Sequence, residues 1–558
     1  MGGDPADGGR IDAVGVSQYA GGRQILHDVS LAIEAGELVA LVGNSGAGKT
    51  TLLEILAGLR PPSAGDIRHD GVVVDPDAAV GSGIGYVPQD DIIHRDLPLR
   101  RTLRYAARLR LPAGTIPDRA DRVVDGTLRA LGLANRADVV VRALSGGQRK
   151  RASIAVELLT EPRILFLDEP TSGLDPSTAA EVVHILHRLT RRGVTVVLTT
   201  HEPATMERCD RVVVLARDGH LAFSGAPDET RRYFGVDDIA DVYDQLADGE
   251  PRALADHFRA WRDDAGGAPE AVAAARARPW APRTLGVVGQ WWLLTRRNAD
   301  VLVRNRLTLA VLLGSPALVT AMMAVLFRPG AFEPSGQSDL RATQTVFWIA
   351  FAGFFFGLTY GLLQIVGELE VFRRERLAGL SVGAYVASKV AVLLPALGAV
   401  AVVMLGILRA LDRIPSAGGD VYASLLVTIL VEALSALALG LLASALVSDA
   451  AQAALALPML CFPQVLFAGA IVPVDDMALP GRVLSLGMAN RHAFEALGRA
   501  LELDVYAASV SSMGAYGDAF SGSPVQSWLV LAGFATTFLL ATSIVLGRRS
   551  RPGHHRRH

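Results

Sequence analysis

The 558-residue chain has two cysteines, three lysines, few aromatic residues (6%) and almost no net charge, with Lys+Arg 54 against Asp+Glu 56. Two thiols as far apart as Cys209 and Cys461 exclude a disulfide-stapled secreted fold. The absence of a net positive field excludes a globally basic nucleic-acid binder, and no nucleic-acid partner is expected. A hydrophobic content of 50% excludes intrinsic disorder. What is present is apolar length. The mean hydropathy of +0.32 is high for a water-soluble enzyme, and 558 residues imply several domains.

The near-zero charge is an average of two unlike parts. Residues 1–282 hold 40 acidic and 33 basic side chains, whereas residues 283–558 hold 16 and 21. That fall in charge density is what burial in lipid requires. Met1–Arg10 is rich in Gly and Asp and has no apolar core, so residues 1–10 are expected to be disordered and the N-terminus cytosolic. Over 11–236, apolar β-branched runs such as ELVALVG (37–43) and ILFLDEP (164–170) alternate with helical patterns, predicting an α/β domain with buried parallel strands. Residues 237–283 read as a linker with some helix, and 284–306, with a Trp pair among arginines, as an interfacial connecting helix. Six apolar stretches follow, near 307–327, 345–366, 388–408, 422–447, 452–474 and 527–546, predicting a six-span, all-α transmembrane domain over 307–547 and a basic cytosolic tail at 548–558. With both termini cytosolic, the cytosolic segments of this half hold 14 Lys/Arg and the external ones 7, in line with the positive-inside rule.

GNSGAGKT at 43–50 stands between an apolar strand and the helical run TLLEILAGL. This is a phosphate-binding loop in its required strand–loop–helix setting. Backbone N–H groups of Gly43, Asn44, Ser45, Gly46, Ala47 and Gly48, and of Thr51 behind them, are expected to face phosphate oxygens at a helix N-terminus. Lys49 reaches the β- and γ-phosphates and Thr50 offers a hydroxyl to Mg²⁺. Only three lysines exist in the chain (Lys49, Lys150, Lys389), which makes a chance match here implausible. ILFLDEP ends a strand in two carboxylates: Asp168 is placed for the Mg²⁺ shell and Glu169 to polarise an attacking water. An acidic pair after a strand is also a common helix cap, so it carries weight only beside the loop.

LSGGQRKR at 144–151 resembles the signature of ATP-binding-cassette ATPases, and the remaining motifs of that family follow in order. The resemblance spans residues 11–235, and it implies an α/β P-loop nucleoside-triphosphatase fold with ATP and Mg²⁺ as the groups bound. By it, Tyr19 would stack on adenine. Gln89, in GYVPQDD, would contact Mg²⁺ and sense the membrane domain. Ser145, Gly146, Gly147 and Gln148 would face the γ-phosphate held by a second subunit, with Asp175 of SGLDPST beside them, and His201 of TTHEP would contact the γ-phosphate. One phosphate loop and one signature make half of a pair of sites, so the implied state is a homodimer, or a heterodimer, of half-transporters. The order ATPase then six spans is similar to the ABCG (White-type) half-transporters. So is ELEVFRRERLAGLSVGAYVASK at 368–389, which looks like that group's cytosolic coupling loop. Arg-over-Lys usage, HEP in place of HQP, and an external region at 475–526 without cysteines point to a bacterial member, multi-pass in the cell membrane. The implied function is an ATP-driven exporter or lipid flippase with an unidentified substrate; the alternatives are an importer, or a membrane ATPase doing mechanical or regulatory work. Glu432, inside the fourth span, is a candidate for proton coupling or for a cationic substrate, with a protonated or helix–helix hydrogen-bonded glutamate, or a span boundary placed elsewhere, as the plainer explanations.

Overall fold

A computed structural model describes residues 8–74, 83–264, 285–330, 332, 339–504, 516 and 519–550. Most of the expected disordered N-terminus, the stretch 265–283 of the expected linker and most of the basic tail lie outside the described residues. The chain divides into two compact units. One contains the residues up to Gly286 together with Arg373–Leu380, and the other Val287–Phe372 and Ser381–Ser550.

The first unit is built on one ten-stranded sheet. Its strands are β1 (Ile11–Ala20), β2 (Arg23–Ile33), β3 (Leu38–Gly43), β4 (Ala64–His69), β5 (Val72–Val73), β6 (Ile84–Val87), β7 (Ile164–Leu167), β8 (Thr195–Thr199), β9 (Arg211–Ala216) and β10 (His220–Gly225). They run in the order β5-β4-β1-β2-β10-β9-β3-β8-β7-β6. The β9-β3-β8-β7-β6 portion is parallel throughout, and β3, β7 and β8 are buried along their whole length. Strands covered on both faces need continuous apolar runs, which is why LVALVG and ILFL carry no polar alternation. β1, β2, β4 and β5 pair antiparallel. β2 joins β10, which pairs antiparallel with β9, at one parallel backbone pair, His27 with His220, whose rings stack 4.1 Å apart.

Residues 237–264 are less of a linker than their composition predicts. Helices Val242–Asp248 and Pro251–Asp264 follow β10, and Ile239, Val242, Leu246, Ala255 and Phe258 are buried. Phe258 and Trp261 each pack 5.6 Å from Phe223 of β10. The apolar residues recur at helical spacing among many charges, and this small aromatic cluster is what they cover.

The second unit is helical. Among the described residues, Val287–Arg304 precedes five helices long and apolar enough to cross a membrane, Leu309–Leu326, Arg341–Leu377, Val382–Ala410, Gly419–Leu446 and Val525–Arg549. The fifth expected span is shorter than predicted: its helix covers Ala450–Leu466, 17 residues, instead of 452–474. It contains Pro458 and Pro463, and the chain turns at Gly469 (φ 87°), a conformation that stops helical continuation. Asp449 caps its start by accepting from the Gln452 amide at 2.9 Å, so the short SDAAQ separator does divide two helices.

Helix Asp339–Leu362 lies close against helix Gly419–Leu446 because glycines at four-residue spacing leave no side chain between them. A Cβ on Gly357 would sit 2.3 Å from the Ala433 carbonyl oxygen, and one on Gly361 2.6 Å from that of Leu437. Glu432 is completely buried at this seam, where a Cβ on Gly353 would lie 3.0 Å from its Oε2. The connecting helix is fastened to the start of Val382–Ala410 by polar contacts: Asn298 Nδ2 donates to Ser388 Oγ (2.9 Å), and Lys389 Nζ donates to Glu368 Oε2 (2.7 Å) and Asn298 Oδ1 (3.3 Å). Replacing Gly357 by Ala is expected to destabilise this unit by about 1–3 kcal/mol through overpacking. A lower thermal unfolding midpoint of the detergent-purified chain is the readout, and an unchanged midpoint would contradict the close approach.

Candidate functional site

The parallel strands deliver the chemistry to one edge of the sheet. β3 ends in the phosphate loop, β6 is followed by Gln89, β7 by Asp168 and Glu169, and β8 by His201, all at carboxyl ends of neighbouring strands. That edge is where ligands bind in open parallel sheets.

The loop is shaped by glycine. Gly43 (φ 149°), Gly46 (φ 80°) and Gly48 (φ 88°) take backbone conformations that L side chains rarely adopt. A Cβ on Gly43 would lie 2.3 Å from the Leu215 carbonyl oxygen of β9. Ala47 is buried beneath the loop, while Ser45 and Gly46 are exposed at its mouth, with open space where a Gly46 Cβ would be. Helix Lys49–Leu56 begins here, with Thr50 and Thr51 in its first turn. Lys49 Nζ donates to the carbonyls of Gly43 (2.8 Å) and Asn44 (3.1 Å), which holds the ammonium over the loop. Burial pushes the Lys49 pKa down, against the nearby carboxylates of Glu169 and Asp168.

The carboxylates are held by hydroxyls. Asp168 is buried, and its Oδ1 accepts from Thr50 Oγ1 at 3.2 Å and from Thr199 Oγ1 at 2.6 Å. Thr199 also accepts the Glu169 amide at 2.8 Å. Glu169 sits at φ 44°, a left-handed conformation costing a non-glycine residue about 1–3 kcal/mol, and the Thr199 bond helps to pin it there. Its carboxylate lies between two other predicted groups: Gln89 Nε2 donates to Oε2 at 3.1 Å, and His201 Nδ1 stands 3.7 Å from Oε1.

Lys49, Thr50, Gln89, Asp168, Glu169 and His201 are therefore brought together. The signature residues are not. Ser145 caps helix Gly146–Leu158 in a capping box with Gln148, and Ser145 and Gly146 are exposed. Among the described residues, Ser145, Gly146, Gly147 and Gln148 make no hydrogen bond or ion pair to the phosphate loop. Gly147 is buried where helix Gly146–Leu158 meets helix Pro176–Thr190, and a Cβ there would stand 2.2 Å from Thr178 Cγ2. Asp175 caps that second helix, accepting from the Thr178 amide (3.1 Å) and the Ser177 hydroxyl (2.6 Å). These bonds hold its carboxyl well below the usual carboxylate range. Tyr19, near the end of β1, is 54% exposed.

Two residues that the motifs did not single out belong to the site. Thr199 holds the Asp168 carboxylate and the Glu169 backbone amide, and its only trace in the sequence is a hydroxyl at the end of the TVVLTTHEP strand. Lys150 Nζ donates to the Gln89 carbonyl at 2.6 Å, tying the signature helix to the Gln89 segment. The donor set suits Mg²⁺: a hydroxyl, a carboxylate and an amide oxygen are hard ligands, and that ion completes its shell with water and phosphate oxygens. Among the described residues no cluster of three or more His, Cys, Asp or Glu offers a denser metal site.

Comparison with known proteins follows this geometry. Residues 26–172 match the family described as ABC transporter, and residues 289–498 the family described as ABC-2 type transporter. The chain is 33% identical over 479 residues to the ABC transporter ATP-binding/permease protein Rv1747 of Mycobacterium tuberculosis, covering 84% of this chain and 55% of that protein. It is 38% identical over 223 residues to the broad substrate specificity ATP-binding cassette transporter ABCG2 of Bos taurus (38% of this chain, 33% of that one). It is 40% identical over 222 residues to ABC transporter G family member 22 of Arabidopsis thaliana (38% and 29%). The chain thus spans about half the length of the first of these relatives and about a third of the others. Replacing Thr199 by Val is expected to lower Mg²⁺-dependent ATP hydrolysis about 10–100-fold, the usual cost of losing an outer-shell partner. Hydrolysis at the wild-type rate in that variant would show that the hydroxyl positions neither carboxylate.

Proposed function

The chain is an ABC transporter chain, joining an ABC ATPase domain to an ABC-2-type helical membrane domain, and from that premise we propose that it hydrolyses ATP to drive export across a cell membrane. The observation that carries this reading is the meeting of Lys49, Thr50, Asp168, Glu169, Gln89 and His201 at one sheet edge in a chain whose described residues also hold five membrane-length apolar helices.

Loop amides of residues 43–48 bind the β- and γ-phosphates, and Lys49 leaves its own carbonyls to neutralise them. Thr50 and Asp168, with Gln89, would hold Mg²⁺, which would neutralise charge developing on the phosphate oxygens. Glu169 accepts a proton from water as that water attacks the γ-phosphorus. The bond to the bridging oxygen of the β-phosphate breaks, and ADP and phosphate leave. Gln89 and His201, on either side of Glu169, orient the water and the γ-phosphate. Tyr19 is exposed as an adenine platform requires.

The exposed N-terminus of helix Gly146–Leu158, out of reach of its own phosphate loop, supports a dimer in which Ser145, Gly147 and Asp175 complete the partner's site. Two copies of this chain supply two equivalent sites. The arginine distribution supports cytosolic termini and six crossings, with Ala450–Leu466 the fifth and shortest. Similarity to ABCG-type relatives supports an exporter, with lipids among the substrates to be tried. The membrane is taken to be a bacterial cytoplasmic one.

Replacing Glu169 by Gln should lower phosphate release about 10²–10⁴-fold while ATP binding persists. Purified full-length protein in lipid nanodiscs, assayed for phosphate and for a fluorescent ATP analogue, tests both halves; hydrolysis retained in that variant overturns the assignment. Chelating Mg²⁺ is expected to stop turnover in the wild type, and ATP-dependent accumulation of candidate lipids and drugs in inside-out vesicles reads the direction of transport.

A further inference from the structure

Helix Gly419–Leu446 carries a polar stripe along one face. Ser424, Thr428, Glu432 and Ser435 recur at intervals of four, four and three residues, which keeps them on one side of a helix with 3.6 residues per turn. Thr428, Glu432 and Ser435 are buried. Thr428 is satisfied: its Oγ1 donates to the Ser424 carbonyl at 2.8 Å and accepts from the Trp528 indole N–H at 2.8 Å. Among the described residues, Ser424 Oγ, Ser435 Oγ and both carboxyl oxygens of Glu432 have no hydrogen-bond partner. Glu432 stands midway along this 28-residue helix, about 20 Å from either end at 1.5 Å per residue.

The carboxyl faces helix Asp339–Leu362, where a Cβ on Gly353 would lie 3.0 Å from Oε2 and 3.3 Å from Ile429 Cγ2. A gap that a single carbon would fill has no room for a substrate group or for a metal ion with its water. The charged groups of the helices packed against Gly419–Leu446 are engaged elsewhere. Lys389 and Tyr385 bond to Glu368, Arg491 and Arg499 both hold Glu495, and His492 bonds to the Leu486 carbonyl. Arg549 donates to the carbonyls of Ala445 and Val447, Tyr360 to that of Leu312, and Arg341, Arg409 and Arg548 are exposed. On its own helix, Asp420 is in the first turn and exposed, and Tyr422 donates to the Pro415 carbonyl. None of these groups bonds to Glu432.

An ionised carboxylate with neither donor nor counter-ion is strongly disfavoured in apolar surroundings, while the acid form is neutral. We propose that Glu432 is a proton-binding site of the helical unit, filled while helices Asp339–Leu362 and Gly419–Leu446 are closed on each other. The carboxyl O–H bond breaks only when the two helices part and water enters; the proton passes to that water and the carboxylate is left hydrated. Of the two roles open to this side chain from sequence, the packing selects proton binding over a cationic substrate, because nothing larger fits beside Gly353. Both helices lie within one compact unit, so the site stands whether or not the chain hydrolyses ATP.

The test is infrared difference spectroscopy of the full-length protein in lipid nanodiscs at about pH 8, where exposed carboxyl groups are ionised. Wild type minus Glu432→Gln is expected to show the carbonyl stretch of one protonated carboxylic acid, at the high-frequency position of an acid that accepts no hydrogen bond. Gly353→Ser sets a hydroxyl against Oε2 and is expected to lower that frequency, whereas Gly353→Ala, which adds the carbon alone, is not. On transfer to D₂O the band is expected to hold its position for minutes; a shift within the mixing time would place the carboxyl in water and overturn the closed site. A carboxylate band in place of the acid band overturns the proposal, because Glu432 would then be in the ionised state that a cationic substrate requires. If Glu432→Gln does not yield folded protein, the wild type labelled with ¹³C at its glutamate carboxyls reads the same acid band by its isotope shift, and absence of a shifted acid band there overturns the proposal equally. Failure of the wild type to hydrolyse ATP would leave this band in place, so the proton site and the ATPase reading fail separately.

Discussion

The ATP site depends on one buried carboxylate. Asp168 accepts a hydroxyl from the helix that follows β3 and another from the end of β8, while itself standing at the end of β7. Three strands are tied at their carboxyl ends by a single side chain. This works because the strands are parallel and aligned, with Leu41 opposite Thr199 and Leu167 opposite Leu198. Glu169 inherits its place from this knot: it follows Asp168, its amide is held by the hydroxyl that serves Asp168, and its backbone is driven into a conformation it would not choose. Two adjacent carboxylates are thus fixed together, and a change in the position of one is a change in both.

Scarcity of lysine makes the three that remain informative. Each ammonium is spent on oxygen atoms in a confined space: Lys49 on two loop carbonyls, Lys150 on the Gln89 carbonyl, Lys389 on Glu368 and Asn298. Burial lowers the pKa of both Lys49 and Lys150, opposed by the acidic groups around the site. In each place a compact charge at the end of a thin stem reaches an oxygen that a planar guanidinium would crowd. Where several acceptors surround a wider space, as at Glu157, the chain uses arginine instead.

Much of this arrangement was legible in the sequence, for definite reasons. Buried parallel strands need unbroken apolar runs, so ELVALVG and ILFLDEP announced both their structure and the chemistry at their ends. The phosphate loop, the acidic pair, Gln89 and His201 are local strings whose order identified them, and four strands then brought them to one edge. What stayed hidden depends on neighbours distant in the chain. Thr199 looks like any strand-end threonine until Asp168 stands beside it, and Arg374 is one arginine among many until Glu157 is found buried against it. Residues 251–264 look solvated by composition, yet Phe258 and Trp261 find Phe223. Hydropathy does not register the turn at Gly469, so the fifth apolar stretch is longer than the helix within it.

The two units solve opposite solvent problems. In the ATPase unit the apolar residues go inward and charge is left for the surface and the site. In the helical unit, Val325 is 87% exposed and Met459 75%, which in water would be a liability and against hydrocarbon is a requirement. Since exposed surface is already apolar there, helices gain little by hiding leucine from lipid, and close backbone contact must supply the cohesion. That is the role of Gly353, Gly357 and Gly361 along one helix face, and it explains why Glu432 on the opposing helix is so enclosed: the seam that admits no side chain from one partner closes around a carboxyl from the other. The near-zero net charge follows from the same division. An acidic unit whose candidate phosphate site is built from backbone amides and a few placed cations needs no positive field, and a helical unit bounded by arginines needs few acids.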